Sequence, residues 1–279
     1  MTKINKELLG FRREIDKIDL KILKLLEERM EIVKEVGKFK NKTKHQFFIK
    51  SAREADMMNK LVKKSSNNIF NETIIAIWRK IITNANLLEQ EIKIALCNPE
   101  ENNDYIYVLR EYFNNLVPIG NFQNTTDTIQ SLEKNEFQIA AFSLPESPEY
   151  SNNDNWWVDF TADNDIKIYA KTSFKNSGAL NLVLAAKKKV EESESDNTLS
   201  VIEFSRKISE NEVVTNLKSA GFNFKILDKS NSSKVNNIDL YLIEIEGFLS
   251  MESKEIQNFL QSEVGPLIRI IGYYNNYQI

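Results

Sequence analysis

One arginine interrupts an apolar stripe near the amino terminus of the chain. The stripe steps by alternating three and four residues, which is the heptad spacing of a helix seam. Its apolar members are Leu8, Phe11, Ile15, Ile18, Ile22, Leu25, Ile32, Val36 and Phe39. The seam position between Leu25 and Ile32 is Arg29, and no Asp or Glu shares the stripe. Since a guanidinium buried among apolar side chains is costly unless an anion meets it, the sequence predicts an anionic ligand at Arg29.

Helix geometry relates two more charged residues to Arg29, and a third stands out on a later helix. Lys40 lies eleven residues further along the chain, which places it about 20° away on the same helix face. Arg12 lies seventeen residues before Arg29, about 100° round the helix and roughly 25 Å along its axis, so these two cannot share a small pocket within one chain. Across a dimer, Arg12 can reach the pocket of the partner. Glu89 continues an otherwise apolar face of a later helix. For each of these charged residues, the alternative to ligand binding is a side chain that is solvated, or that lies along an apolar surface with only its charged end in water.

The elements that must position these residues are long helices. Residues 1–92 contain no proline and only two glycines, which favours uninterrupted helices. We predict helices over about 5–42, from Ser51, and over about 70–91, with a loop at 41–48. Ser51 followed by Glu54 is typical of an N-cap. A first helix this long cannot bury its seam against two shorter helices, so we expect a homodimer.

Composition narrows the classes of function. The chain has 279 residues, one cysteine and one histidine, which disfavours a disulfide framework and most histidine-based metal or triad chemistry. No stretch is long and apolar enough for a signal peptide core or a membrane span, so we expect a cytoplasmic protein. Residues 1–92 hold 20 Lys and Arg against 13 Asp and Glu, whereas residues 93–279 hold 17 against 27. The basic end is either a solvated helix surface or an attractor of polyanions.

The order of residues from Leu8 to Ala55 resembles the all-α class of chorismate mutases. The motif is L-x-x-x-R-x-x-I-D-x-I-D-x-x-I-L-x-L-L-x-x-R-M-x-I-x-x-x-V-G-x-x-K, followed by R-E-A at 53–55. The resemblance implies three helices intertwined as a dimer, with chorismate as substrate and prephenate as product. This one-step pericyclic rearrangement uses no cofactor and no metal. Arg29 and the partner's Arg12 would hold the two carboxylates of the substrate, and Lys40 would contact a carboxylate and the ether oxygen.

The same resemblance assigns the remaining members of the site. Glu54 would accept the ring hydroxyl of the substrate, with Arg53 beside it. Lys50 stands where the family often has an aspartate that supports this hydroxyl. Glu89 falls where the family places Gln or Glu against the ether oxygen, near Ala85 at a position that is usually small. The carboxyl group of Glu89 can donate a hydrogen bond to that oxygen only when it is protonated.

The sequence pattern of the rest of the chain is typical of α/β structure. A β-α-β-α-β alternation from about residue 92 predicts a small unit with parallel strands, and the last segment predicts a β-α-β-β-α-β series. We therefore expect an α region followed by α/β regions, divided as 1–92, 93–190 and 197–279, with a charged linker at 187–196. The Trp156–Trp157 pair is either core or the mark of a pocket.

Residues 93–190 and 197–279 resemble, more weakly, a degenerate prephenate dehydratase domain and an ACT-like domain. The first resemblance rests on QIAAFSLPES at 138–147, and the second on YLIEIEGFL at 241–249 with IRIIGYYNN at 268–276. A Thr-Arg-Phe motif of the dehydratases is missing from the sequence. An ACT-like domain implies an aromatic amino acid as effector.

Three functions of different classes follow from these patterns. The main hypothesis is a chorismate mutase of aromatic amino acid biosynthesis. The alternatives are a bifunctional mutase–prephenate dehydratase and a non-catalytic regulatory or scaffold protein that kept the mutase fold. Nucleic-acid binding is disfavoured, because the basic helices lack aromatic platforms and the larger part of the chain is acidic.

Overall fold

A computed structural model describes ten stretches of the chain. They are residues 3–42, 49–66, 68–148, 155–160, 165–172, 180–187, 196–204, 206–232, 238–262 and 265–275. Most of the predicted loop at 41–48 and of the predicted linker at 187–196 lies outside the described residues. No helix among the described residues combines the length and apolar character needed to cross a membrane.

Three helices form the amino-terminal part, as predicted. They are α1 (Lys3–Lys42), α2 (Ser51–Lys64) and α3 (Asn71–Glu89). The prediction that Ser51 caps α2 is wrong by one residue: Ser51 is the first helical residue, and Lys50 holds the N-cap position without a side-chain hydrogen bond. Met58 of α2 packs with Ile75 and Ile82 of α3 in a small apolar cluster.

The apolar seam of α1 is not covered by the described part of the chain. Its nine apolar members keep between 40% and 70% of their surface exposed. A continuous apolar stripe of this length is unusual on the surface of a monomeric protein and marks an interaction face.

A parallel unit follows the helices. Its elements are β1 (Ile94–Cys97), α4 (Asn103–Tyr112), β2 (Ile119–Phe122), α5 (Thr125–Glu133) and β3 (Ile139–Leu144). Strand β1 pairs in parallel with both β2 and β3, which confirms the predicted β-α-β-α-β unit. The strands β1 and β3 are fully buried, as expected for strands covered on both faces.

Two antiparallel strands and a short helix extend this unit. The helix is α6 (Trp156–Asp159), and the strands are β4 (Ile166–Lys171) and β5 (Asn181–Lys187). Strand β5 pairs antiparallel with β3 and with β4. Trp156 and Trp157 are buried, which favours core over pocket. The indole of Trp156 donates to the Ser143 carbonyl (2.5 Å), and that of Trp157 donates to the buried Asp228 carboxylate (3.0 Å).

The last part of the chain is the predicted β-α-β-β-α-β series. It comprises β6 (Asp196–Phe204), α7 (Glu210–Ser219), β7 (Phe224–Ser232), β8 (Ile238–Glu246), α8 (Lys254–Leu260) and β9 (Pro266–Asn275). The four strands are antiparallel in the spatial order β9-β6-β8-β7. Both helices pack on one face of this sheet, where Val213, Leu217, Ile256 and Phe259 are buried. The series is typical of ferredoxin-like folds.

One backbone contact joins the two groups of strands into a single sheet. Strand β4 runs parallel to β9, with Ile168 opposite Gly272, and the nine strands follow the order β2-β1-β3-β5-β4-β9-β6-β8-β7. A Cβ atom at Gly272 would lie 2.3 Å from the Ile168 carbonyl oxygen and 2.5 Å from its amide nitrogen. Such distances are far below van der Waals contact, so this approach of two backbones requires glycine.

We predict that Gly272→Ala separates β4 from β9. The new methyl group has to displace backbone rather than a flexible side chain, so the free energy of unfolding should fall by about 3 kcal/mol or more. Urea denaturation measures this change. Gly247→Ala is the matched control, because Gly247 also has a positive φ (95°) but has open space where the methyl group would lie. It should cost only about 1–2 kcal/mol of backbone strain. Equal losses in the two variants would contradict the prediction.

Candidate functional site

A cleft of about 260 Å³ opens between the three helices. Its walls are the carboxyl-terminal half of α1, the beginning of α2 and the carboxyl-terminal half of α3. The lining residues are Arg29, Ile32, Val33, Val36, Lys40, Lys50, Arg53, Glu54, Met57, Ile82, Ala85, Asn86 and Glu89. Seven of the eight predicted site residues therefore line one cleft. Arg12, the eighth, is exposed on α1 away from these walls.

Arg29 presents an unsatisfied donor in this cleft. Its Nη1 atom is buried and makes no hydrogen bond within the part of the chain that the structure describes. Burial lowers the pKa of Arg29, the nearby charge of Arg53 lowers it further, and Glu89 acts in the opposite direction. Arginine stays charged despite such shifts. A buried cationic donor of this kind is stabilised when an anion enters the cleft.

Lys40 and Glu89 form an ion pair at one end of the cleft. The Nζ atom of Lys40 donates to Oε2 of Glu89 at 2.5 Å, and only 9% of the Glu89 side chain is exposed. Gly37 is buried one turn before Lys40, and a Cβ atom there would just touch the Cα atom of Glu89 at 3.5 Å. A side chain larger than Ala at Gly37 would move α1 away from the end of α3.

Glu54 is held by two side chains from α3 that sequence reasoning missed. Arg79 donates from Nη1 to Oε2 of Glu54 at 2.8 Å, and Asn86 donates from Nδ2 to Oε1 at 3.2 Å. Both oxygens of this carboxylate are therefore engaged from one side. Arg79 itself is only 4% exposed. A signal was present in the sequence, since Arg79 shares a helical stripe with Ile75 and Ile82, as Arg29 does with the seam.

The charge of the cleft suits a small dianion. Four cationic side chains and two carboxylates line it, and Arg79 neutralises Glu54 from behind. The cationic members are Arg29, Lys40, Lys50 and Arg53. The helices thus focus a positive potential on a space that is otherwise lined by aliphatic groups, and such a space favours a compact anion with apolar faces.

Side chains that commonly bind metals are scattered over the described residues. Nowhere in the ten described stretches do three His, Cys, Asp or Glu side chains come together in a way that could hold a metal ion. Cys97 is buried in β1, and the single histidine, His45, lies outside the described residues.

Comparison with known proteins relates the helical part to a family. Residues 11–90 match the family described as chorismate mutase type II. A bifunctional chorismate mutase/prephenate dehydratase of Aquifex aeolicus is 35% identical over 98 residues, which are 34% of this chain and 27% of that protein. The protein of the same name from Pseudomonas aeruginosa is 29% identical over a stretch that covers the same shares of both chains. The matched stretch thus spans about a quarter of the length of these relatives.

Solved structures of prephenate dehydratases are similar to a larger share of the chain. The enzyme from Streptococcus mutans has a TM-score of 0.45 at 15% identity, over 67% of this chain and 100% of its own. A prephenate dehydratase from Arthrobacter aurescens in complex with L-Phe has a TM-score of 0.47 at 9% identity, over 67% of this chain and 90% of its own.

Proposed function

We propose that this protein is a chorismate mutase, which converts chorismate into prephenate. The observation that carries the proposal is the convergence of seven side chains on one cleft, at the positions of the family motif, where the buried Nη1 donor of Arg29 has no hydrogen-bond partner among the described residues. Chorismate is a compact dianion, which matches a lining of four cations and two carboxylates. The match of residues 11–90 to chorismate mutase type II supports the same substrate.

The proposed mechanism is conformational and electrostatic. The rearrangement breaks the C–O bond of the ether and forms a C–C bond in one step, with no covalent intermediate on the protein. Arg29 binds one substrate carboxylate, and Glu54 accepts a hydrogen bond from the ring hydroxyl. The contacts to the substrate carboxylates hold the molecule in its compact, chair-like conformer, which lowers the entropy cost of reaching the transition state. The contact of Glu54 anchors the ring and is the same in the ground state and in the transition state.

Lys40 and Glu89 act on the ether oxygen. Negative charge develops on the enolpyruvyl side as the C–O bond breaks, and the ammonium group of Lys40 stabilises it in a largely dry site. In the structure this ammonium group donates to Glu89. Glu89 contributes a second donor to the ether oxygen only in its protonated form.

The proposed assembly is a homodimer through α1. The exposed seam of nine apolar residues needs a complementary stripe, and a second copy of α1 supplies one of equal length. In this dimer the partner's Arg12 completes the cleft by binding the second carboxylate of the substrate. Within one chain, Arg12 lies roughly 25 Å from Arg29 along the helix. It therefore cannot reach the cleft of its own chain.

The α/β regions are proposed to be regulatory. The ferredoxin-like order of the last four strands favours an ACT-like unit that recognises an aromatic amino acid. We place the protein in the cytoplasm, as the single cysteine and the apolar pattern predict. The names of the curated relatives favour a bifunctional mutase–prephenate dehydratase as the second candidate, although those relatives extend well beyond the matched stretch.

Arg29→Ala tests the mutase. We expect purified wild-type protein to consume chorismate. In the variant kcat/KM should fall by about 10²- to 10⁴-fold, since losing one member of the buried charge pair between Arg29 and the substrate carboxylate costs about 3–5 kcal/mol. Loss of chorismate absorbance gives the rate, and chromatography identifies the product. Arg13→Ala is the control, because Arg13 is an exposed arginine of the same helix outside the cleft. Phenylpyruvate formed without added acid would support the bifunctional candidate, and an inert wild-type protein would support the scaffold.

Glu89→Gln tests the protonation requirement. The amide of Gln always offers a donor to the ether oxygen, so we expect Glu89→Gln to retain kcat/KM within about tenfold of the wild-type protein. Glu89→Ala removes the donor and should lower kcat/KM by about 10²-fold. Equal losses in the two variants would overturn the role of Glu89.

Mixing two inactive variants tests the shared site. Arg12→Ala and Arg29→Ala chains, unfolded together and refolded, should recover about a quarter of wild-type activity, because half of a random C2 population pairs one chain of each kind and each such dimer holds one intact site. The separately refolded variants are the controls. If activity does not return while the mixture is dimeric by ultracentrifugation, Arg12 does not act across the interface.

A further inference from the structure

The cation that holds Glu54 also contacts the α/β part of the chain. The guanidinium of Arg79 lies over the ring of Tyr112, with Cζ 4.3 Å from the ring centroid. Tyr112 is the last residue of α4, in the parallel unit that follows the helices. An arginine that stacks on an aromatic face is confined to one plane. In the plane that this stacking fixes, Nη1 of Arg79 donates to the carboxylate of Glu54.

Neighbouring contacts fix the end of α4 against α3. Lys80 donates from Nζ to the carbonyl oxygens of Arg110 (2.9 Å) and Glu111 (2.7 Å). These carbonyls belong to the last turn of α4, where helix carbonyls lack intrahelical partners and attract cations. The ring of Tyr112 is thereby held at a defined height along α3, directly behind the cleft.

Apolar packing makes the same junction rigid. Ile49, which precedes α2, and Leu87 of α3 pack into the core that contains Tyr105, Leu109 and Tyr112 of α4. The beginning of α2 therefore rests on the α/β part of the chain, and it carries Lys50, Arg53 and Glu54 into the cleft. Close-packed cores have little room for independent movement of their members.

From these contacts we infer that Tyr112 and Arg79 are positioning residues of the candidate mutase site. Tyr112 orients Arg79, and Arg79 orients the carboxylate of Glu54 toward the substrate hydroxyl. The inference rests on the proposed function. It means that the α/β part of the chain helps to position the residues of the site, whether or not an effector binds.

The inference predicts a specific kinetic change. The ring hydroxyl of the substrate is present in the ground state and in the transition state, so a misplaced Glu54 weakens both by a similar amount. Loss of such uniform binding raises KM and leaves kcat nearly unchanged. A purely structural defect would instead reduce the amount of folded, active protein and leave KM unchanged.

The experiment compares three full-length variants. Tyr112→Leu removes the aromatic face, and we expect KM for chorismate to rise about five- to tenfold with kcat within about twofold of wild type. Tyr112→Phe keeps the face and should retain a KM near that of the wild-type protein. Tyr105→Leu is the matched control, because Tyr105 is a tyrosine of the same helix, core and degree of burial, about 10 Å from Tyr112 along the axis.

Arg79→Lys serves if Tyr112→Leu does not fold. It keeps the charge next to Glu54 but removes the planar group that stacks on Tyr112, and it should also raise KM at nearly constant kcat. Whichever of the two changes folds should also be made in a Glu54→Gln background, where its effect on KM should shrink to less than about twofold if it acts through Glu54.

The outcomes separate this inference from the proposed function. A raised KM in Tyr112→Leu alone supports both. If the wild-type protein converts chorismate and Tyr112→Leu has the same KM as Tyr105→Leu, the inference is wrong and the mutase stands. If the wild-type protein does not convert chorismate, the proposed function falls and the inference falls with it.

Discussion

Burial of guanidinium groups among apolar helix faces is the constraint on which this site depends. A charged group that leaves water has to meet an opposite charge nearby, or the packing around it is destabilised. Arg79 meets this requirement within the chain, through Glu54. Arg29 meets it only in part: burial lowers its pKa and the nearby charge of Glu89 counteracts this shift, but its buried Nη1 lacks a hydrogen-bond partner among the described residues. One cationic group beside the cleft is thus paired within the protein, and the other keeps a free donor that the proposed substrate would bind.

The helices and the sheet depend on each other more than their separation in sequence suggests. Ile49 and Leu87 pack into the core beneath α4, so the parallel unit supports the floor of the cleft. Trp157 of α6 donates a hydrogen bond to Asp228 of β7, the strand at one edge of the sheet. The backbone of Ile168 pairs with that of Gly272. Each junction consists of a few contacts between rigid elements. Such contacts fix the relative position of the two elements more firmly than a flexible linker would.

Sequence patterns predicted the elements well and their mutual contacts less well. Heptad spacing and strand alternation located the helices and strands within a few residues, because both follow from local burial. Among the seven predicted residues that line the cleft, Arg29, Lys40 and Glu89 could be found because helix faces convert spacing into direction. The other four, Lys50, Arg53, Glu54 and Ala85, followed only from the resemblance of the motif to the chorismate mutases. The short helix α6 was missed because four residues hold no periodic pattern. The contact between Ile168 and Gly272 was missed because it joins strands about one hundred residues apart. Arg79 was missed although it breaks an apolar stripe, the same sign that revealed Arg29.

The uninterrupted helix α1 has a consequence for how this chain can change during evolution. Between Arg12 and Arg29 the helix sets both the distance and the angle between the two side chains, because each added residue advances the chain by about 1.5 Å and turns it by about 100°. In the proposed dimer, a single insertion would rotate one arginine out of its cleft in both copies at once. Substitutions along this segment are tolerated where they preserve the seam, whereas changes in its length are not. The segment should therefore vary in composition among descendants while its residue count stays fixed.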